Sequence, residues 1–438
     1  MLLEPMNIPP KAEGAFRVIH TADWHLGKML CDKPRHEEHQ RFLEFLLSVI
    51  QDNAVDALLV AGDVFDSGNP PQSAVAIYFD FLSRLHKETD CAAVVTAGNH
   101  DAPSHLEAPR QVLKALNVHV VGQWPNDPTN AVIFLPSAEQ PLLTIAAVPY
   151  LRDRDLRTGR AMQTREEIER DLREGIQRCY AGVAEAIEQA GRPGVAALAL
   201  GHLTVVGGVT SDSEREIHVG GLGAVSHACF PQAFQYVALG HLHRPQSVGG
   251  LDHIRYAGAP IPLSFSEADH AKSLRLLDFA DGQLVRNEEI AIPAARRLLR
   301  VEAPFHQLAE RLKDLTPPTE PLAPWLEVAV IDPPPGENIS DQVTQWLEGS
   351  TCELLKVTIS RSAASHGLSL AEESLEEDAQ NLLSDPARVF ERRLADCRAE
   401  PFTDEDREQL HLAFRQLLQL HHENESEAPP PSDNGGAR

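Results

Sequence analysis

Five short pieces of the sequence end an apolar run in side chains that can bind metal: "TADWHLG" (Asp23, His25), "VAGDVFD" (Asp63, Asp66), "TAGNHD" (Asn99, His100), "LALGHL" (His202) and "ALGHLH" (His241, His243). The i, i+2 spacing of Asp23 with His25, and of His241 with His243, would point both members of a pair to one side of an extended backbone. Imidazoles mixed with carboxylates and an amide oxygen suit borderline divalent ions such as manganese, iron or zinc better than calcium or magnesium. Seven such groups suit two ions. Two ions roughly 3.5 to 4 Å apart need a bridging carboxylate, and they can stabilise both the attacking and the departing oxygen of a displacement at phosphorus. Asp63, central in its "GD" piece, is the candidate bridge, and Asp66 reads as support for a ligand more than as one. Glycines stand before Asp63, Asn99, His202 and His241, where tight strand-to-loop turns would bring backbone close to the ions.

Each piece needs a scaffold. From Phe16 to about Ile292 short apolar runs alternate with amphipathic stretches: "FRVIHTAD", "HEEHQRFLEFLLSVIQD", "DALLVAGD", "SAVAIYFDFLSRLHKE", "CAAVVTAGN". Strand, helix, strand, helix, strand predicts a layered α/β domain. Further runs follow at "LLTIAAVPY", "GVAALALGHL", "QYVALGHLH", "IRYAGAP" and "SLRLLDFA", with a charged helix over 165–189. After Pro293, "RRLLRVEAPFHQLAERLKDL", "PWLEVAVID" and "CELLKVTISR", broken by "TPPTEP" and "DPPPGEN", predict a small α+β unit. Beyond Leu368 helical spacing in "DPARVFERRLADC" and "DREQLHLAFRQLLQLHH" predicts helices, and "ENESEAPPPSDNGGAR" a disordered tail.

Composition narrows the class. The chain has 438 residues, 42% of them hydrophobic, and no run of eighteen apolar residues, so two or three domains and no membrane span are expected. The N-terminus lacks a basic n-region followed by an apolar h-region, which makes the cytoplasm the expected compartment. Six scattered cysteines without a C-x-x-C pair argue against a zinc ribbon or a disulfide framework. The net charge of −25 is the reverse of a simple nucleic-acid binder's, so any contact with DNA has to be local, metal-assisted or shared with a partner. A lone D-x-H is usually accidental, and most of the 20 histidines, including His36, His39, His227, His421 and His422, read as surface residues. Trp24 reads as packing. Five ordered pieces, each at a strand end, do not read as accident.

The ordered set resembles the calcineurin-like binuclear metallophosphoesterase superfamily. "HTADWHLGK", "GDVFDSGNPP" and "AGNHDAPSHL" narrow it to a resemblance with the bacterial branch of the Mre-type DNA-repair nucleases. The resemblance implies a β-sandwich flanked by helices, with a nuclease domain over 16–292, a small α+β capping domain over 293–365 and a helical segment over 366–423 that docks an SbcC-type coiled-coil ATPase. A flexible extension over 1–15 and the tail over 424–438 would flank these. It places Asp23, His25, Asp63 and His243 around one ion, and Asp63, Asn99, His202 and His241 around the other, with manganese preferred. His100 is then no ligand but faces the scissile phosphate, while Asp101 fixes the turn or orients His100. The implied activity is 3′-to-5′ exonuclease on duplex ends and endonuclease on single strands or hairpins, in a homodimer. The chain has no G-x-x-x-x-G-K-[ST], so ATP dependence would come from the partner. The rival readings are a small-molecule phosphoesterase of the same superfamily and a non-catalytic scaffold.

Overall fold

The computed structural model describes residues 8–107, 110–157, 164–209, 224–315, 318–334 and 338–360. The expected helical segment over 366–423 and the tail lie outside these residues.

Two six-stranded sheets form the body. The first runs in the order Gln283–Ala291, Ser273–Ala280, Phe16–Thr21, Ala57–Ala61, Ala92–Thr96, Val118–Val121, and its last four strands are parallel. The second runs Gln246–Val248, Leu251–Tyr256, Tyr236–Gly240, Ala196–His202, Leu143–Ala147, Val132–Leu135, with the middle four parallel. Central strands such as Ala57–Ala61 and Ala196–His202 are buried at every position, the signature of strands covered on both faces. Alternation sorts their side chains. Val18, Leu59 and Val94 from the first sheet meet Ile145, Leu198 and Ala238 from the second in one core. The neighbours Ile19, Leu58 and Val95 turn outward under Phe42, Leu46 and Phe81 of the helices His36–Asp52 and Gln72–Glu88.

The far face of the second sheet is covered by the helix Arg165–Gln189, which presents Leu172, Ile176, Cys179 and Val183 at helical spacing. Its start is a capping box: the Thr164 hydroxyl accepts from the Glu167 amide at 3.2 Å, and the Glu167 carboxylate accepts from the Thr164 amide at 2.9 Å. The result is the expected sandwich flanked by helices.

The unit expected after Pro293 is a three-stranded parallel sheet, Arg296–Pro304, Leu322–Ile331 and Glu353–Ser360, with helices Phe305–Lys313 and Ile339–Trp346 between its strands. Leu308, Leu312, Leu326, Val328, Val330 and Val343 make its core. Residues 8–15, expected within a flexible extension, make anchoring contacts: the Pro9 carbonyl accepts from Arg17 at 3.1 Å and Arg286 at 3.0 Å, and Lys11 pairs with Asp56. Among the described residues no helix is long and apolar enough to cross a membrane.

Two polar residues tie the sheets together. His20 on Phe16–Thr21 is fully buried, and its Nδ1 lies 3.0 Å from the Tyr236 hydroxyl on Tyr236–Gly240. Burial, helped by the Arg275 charge, pushes the imidazole down to about 3. A folded pKa below the unfolded value means that the neutral ring's contribution is complete above about pH 6.5 and is lost as pH falls toward 3. At pH 5 the loss is about 2 kcal/mol by linkage. Urea unfolding at pH 7.5 and pH 5 should show that His20→Gln lacks this share of the pH dependence; an unchanged slope would contradict the assignment.

Candidate metal centre

All five pieces converge at one place, the C-terminal ends of parallel strands in both sheets. Asp23 and His25 follow Phe16–Thr21, Asp63 follows Ala57–Ala61, and Asn99 and His100 follow Ala92–Thr96. From the second sheet, His202 ends Ala196–His202, while His241 and His243 follow Tyr236–Gly240. Open α/β sheets bind ligands at these ends.

Asp63 lies in the middle. Its Oδ2 is 3.4 Å from His202 Nε2, 3.6 Å from His25 Nε2 and 4.0 Å from His100 Nε2. Its Oδ1 accepts from the His100 amide at 2.9 Å. Asn99 Oδ1 is 2.9 Å from His202 Nε2, and Asp23 Oδ1 accepts from the His241 amide at 2.8 Å. The rings of His25 and His243 lie 5.1 Å apart, and those of His202 and His241 5.5 Å. The seven residues expected as ligands are thus brought together, and all but Asn99 are buried.

Four of the site's five imidazoles share one orientation rule. Nδ1–H of His202 donates to the Ala61 carbonyl at 2.9 Å, that of His25 to Asp66 Oδ1 at 3.2 Å, that of His243 to Glu267 Oε1 at 3.1 Å and that of His100 to the Asp66 carbonyl at 2.7 Å. An outward acceptor on Nδ1 fixes the tautomer and leaves Nε2 as the ring's lone pair for a metal or a substrate. His25 Nε2 is buried with no hydrogen-bond partner among the described residues, a cost that a cation would remove. Burial also lowers the pKa of His25, His241 and His243, keeping them in the ligating neutral form. At His202 burial acts the same way, but the Asp63 carboxylate outweighs it and raises the ring to about 9. The donor set fits two divalent cations.

The backbone is bent to achieve this. Asp23, His25, Asp63 and His241 have φ of 53°, 46°, 50° and 101°, a region that costs non-glycine residues energy and clusters at functional sites. The extended D-x-H backbone expected from spacing is therefore not what turns Asp23 and His25 to one side. Instead their loop runs along the next strand's loop, with amides of Asp23, His25 and Leu26 donating to carbonyls of Gly62, Asp63 and Val64 at 3.0, 3.0 and 2.9 Å. Gly98 lies so close that a Cβ there would overlap the Asp63 carboxylate.

Other expectations resolve in detail. Asp66 supports His25 and pairs with Lys28 at 3.2 Å. Asp101 fixes the turn: its carboxylate accepts from the amides of Val64, Phe65 and Gly98 at 3.1, 2.9 and 2.9 Å, whereas the Asp66 carbonyl is what orients His100. Trp24 is fully buried and packs edge-on against Phe42, Tyr78 and Phe81. His39, expected at the surface, is buried. Glu267 and Lys272, behind His243, are not marked in the sequence, because the charged stretch "SEADHAK" reads as a solvated loop.

Comparison with known proteins shows the family. Residues 16–245 match the calcineurin-like phosphoesterase family, and residues 294–398 match the type 5 capsule protein repressor C-terminal domain. The SbcD subunit of the nuclease SbcCD from Escherichia coli K12 is 35% identical over 387 residues, 86% of this chain and 92% of that protein. Its namesakes from Rhodobacter capsulatus and Bacillus subtilis are 37% and 35% identical, covering 79% and 66% of this chain and 87% and 72% of theirs.

Proposed function

The chain belongs to the SbcD family of calcineurin-like phosphoesterases and is a metal-dependent nuclease subunit, and from that premise we propose how its residues divide the work. Asp23, His25, Asp63 and His243 hold one ion, and Asp63, Asn99, His202 and His241 the other, with manganese as the metal. The observation that carries this reading is the central place of Asp63, whose Oδ2 lies 3.6 Å from His25 Nε2 of one proposed set and 3.4 Å from His202 Nε2 of the other. When bound, two such ions supply Lewis acidity to both the attacking and the departing oxygen at phosphorus.

The chain's own groups do the rest. His100, whose Nδ1–H is held by the Asp66 carbonyl, faces the phosphate through Nε2 and acts as the imidazolium, with both ring nitrogens protonated: it gives its Nε2 proton to the leaving 3′ oxygen and is left as the neutral Nδ1–H ring. Asp66 and Glu267 keep His25 and His243 in the ligating tautomer. The substrates are duplex ends, for 3′-to-5′ exonuclease action, and hairpins or single strands, for endonuclease action, in cytoplasmic DNA repair, recombination and replication. The nuclease domain spans 16–292 and the capping domain 293–365. The relatives' name makes each of them one part of an SbcCD nuclease; here residues 366–423 would dock the SbcC-type ATPase in a homodimeric assembly, which supplies the DNA-binding surface that a net charge of −25 lacks.

With manganese, the purified protein should cleave hairpin DNA far faster than a cyclic nucleotide or an aryl phosphate. Preference for the cyclic nucleotide would favour a small-molecule phosphoesterase, and inactivity on all three a scaffold.

A further inference from the structure

Behind His243 stands an ion pair that the reaction does not require. Glu267 is fully buried and Lys272 nearly so. The Glu267 carboxylate lies between the His243 imidazole and the Lys272 ammonium. Its Oε1 accepts from His243 Nδ1 at 3.1 Å, and its Oε2 accepts from Lys272 Nζ and from the Leu263 amide at 3.3 Å. Lys272 Nζ also donates to the His243 carbonyl at 3.1 Å. One residue is therefore gripped at its ring and at its backbone by the same pair. Buried pairs add little to stability over apolar packing, because desolvation offsets their attraction, so position is the better account of this one.

The grip has a second end. Glu267 closes the 3-10 turn Phe265–Glu267, and Phe265, two residues earlier, is buried against Leu298 and Trp325 of the three-stranded sheet. Trp325 is itself fixed there, since its Nε1–H donates to Glu353 at 2.9 Å and the Arg296 guanidinium lies 4.1 Å over its ring. A shift of that sheet would move Phe265, and a turn of three residues has no slack to absorb it.

We propose that Glu267 is a positioning residue for His243, held by Lys272, and that the Phe265–Glu267 turn transmits the seating of the 296–360 sheet to that one ligand. The inference rests on the reading of His243 as a metal ligand. Outer partners of ligating histidines typically change metal affinity by about 10- to 100-fold.

The test is manganese titration of the full chain by calorimetry and electron paramagnetic resonance, with melting of the metal-free protein as the folding control. Glu267→Gln should weaken one of two manganese sites about tenfold or more and leave the other unchanged. Phe265→Ala should weaken the same site by a smaller factor and add little in the Glu267→Gln background, because both act through one turn. Two wild-type affinities in Glu267→Gln would overturn the positioning role, and multiplicative effects in the double variant would overturn the transmission. His243→Asn separates the two levels: if it still binds two ions normally, the ligand reading fails; if it loses one while Glu267→Gln does not, only this inference fails. Should Glu267→Gln unfold because Lys272 is left charged and buried, Glu267→Gln with Lys272→Met removes both charges and is read in the same way.

Discussion

Asp63→Asn is expected to lower nuclease activity by about 10³-fold or more while leaving a folded chain that binds fewer than two manganese ions. The magnitude follows from the several kcal/mol that ions contribute to a phosphoryl transition state, at tenfold per about 1.36 kcal/mol. Asp63 Oδ2 lies 3.6 Å from His25 Nε2 and 3.4 Å from His202 Nε2, so a single carboxylate charge serves both proposed metal positions. Asparagine keeps the volume and one oxygen but replaces the charge with a dipole, and its NH2 group would point a donor at a place built for cations. Folding should survive because the surrounding turn is held by Asp101, whose three amide hydrogen bonds do not involve the Asp63 side chain. Cleavage of hairpin DNA and metal content by elemental analysis give the two readings. Wild-type turnover with two ions bound would end the two-metal assignment.

What was legible in the sequence follows from burial. The strands that carry the candidate ligands are covered on both faces, so they read as continuous apolar runs, and a polar residue at the end of such a run stands out. Gly62-Asp63 after "DALLVA" and Gly98-Asn99 after "CAAVVTA" are visible for that reason. Edge strands are less visible because one side meets water. Gln283–Ala291 carries Arg286, Glu288 and Glu289 on a half-exposed edge, and no apolar pattern marks it. Spacing named the candidate ligands but not the geometry that joins them. Asp23 and His25 converge through left-handed backbone that a D-x-H pattern does not encode. Glu267 became readable only once the fold laid the loop after Leu263 behind His243, 24 positions back along the chain. His39 misled for the opposite reason: a histidine in the charged run "HEEHQRF" reads as solvated, whereas helix periodicity turns this one toward the core.

The neighbours Asn99 and His100 should fail in different ways when replaced. His100 Nδ1 is held by the Asp66 carbonyl at 2.7 Å, and its Nε2 stands 4.0 Å from Asp63 Oδ2, farther than the corresponding atoms of His25 and His202. In the proposed reading its Nε2 meets the phosphate instead of an ion. His100→Asn removes no proposed ligand, so both manganese ions should remain bound at wild-type affinity. The rate should still fall by about 10² to 10⁴-fold, the usual contribution of a positioned acid-base group. Asn99 Oδ1, by contrast, lies 2.9 Å from His202 Nε2, within the proposed second metal position. Asn99→Ala takes an oxygen from that position and leaves its carboxylate and imidazoles, so one site weakens and raising manganese should restore much of the activity. Titrating manganese against cleavage rate therefore distinguishes an occupied but slow enzyme from an under-filled one. Rescue of His100→Asn by excess manganese would make His100 a ligand and overturn the division of labour between the two side chains.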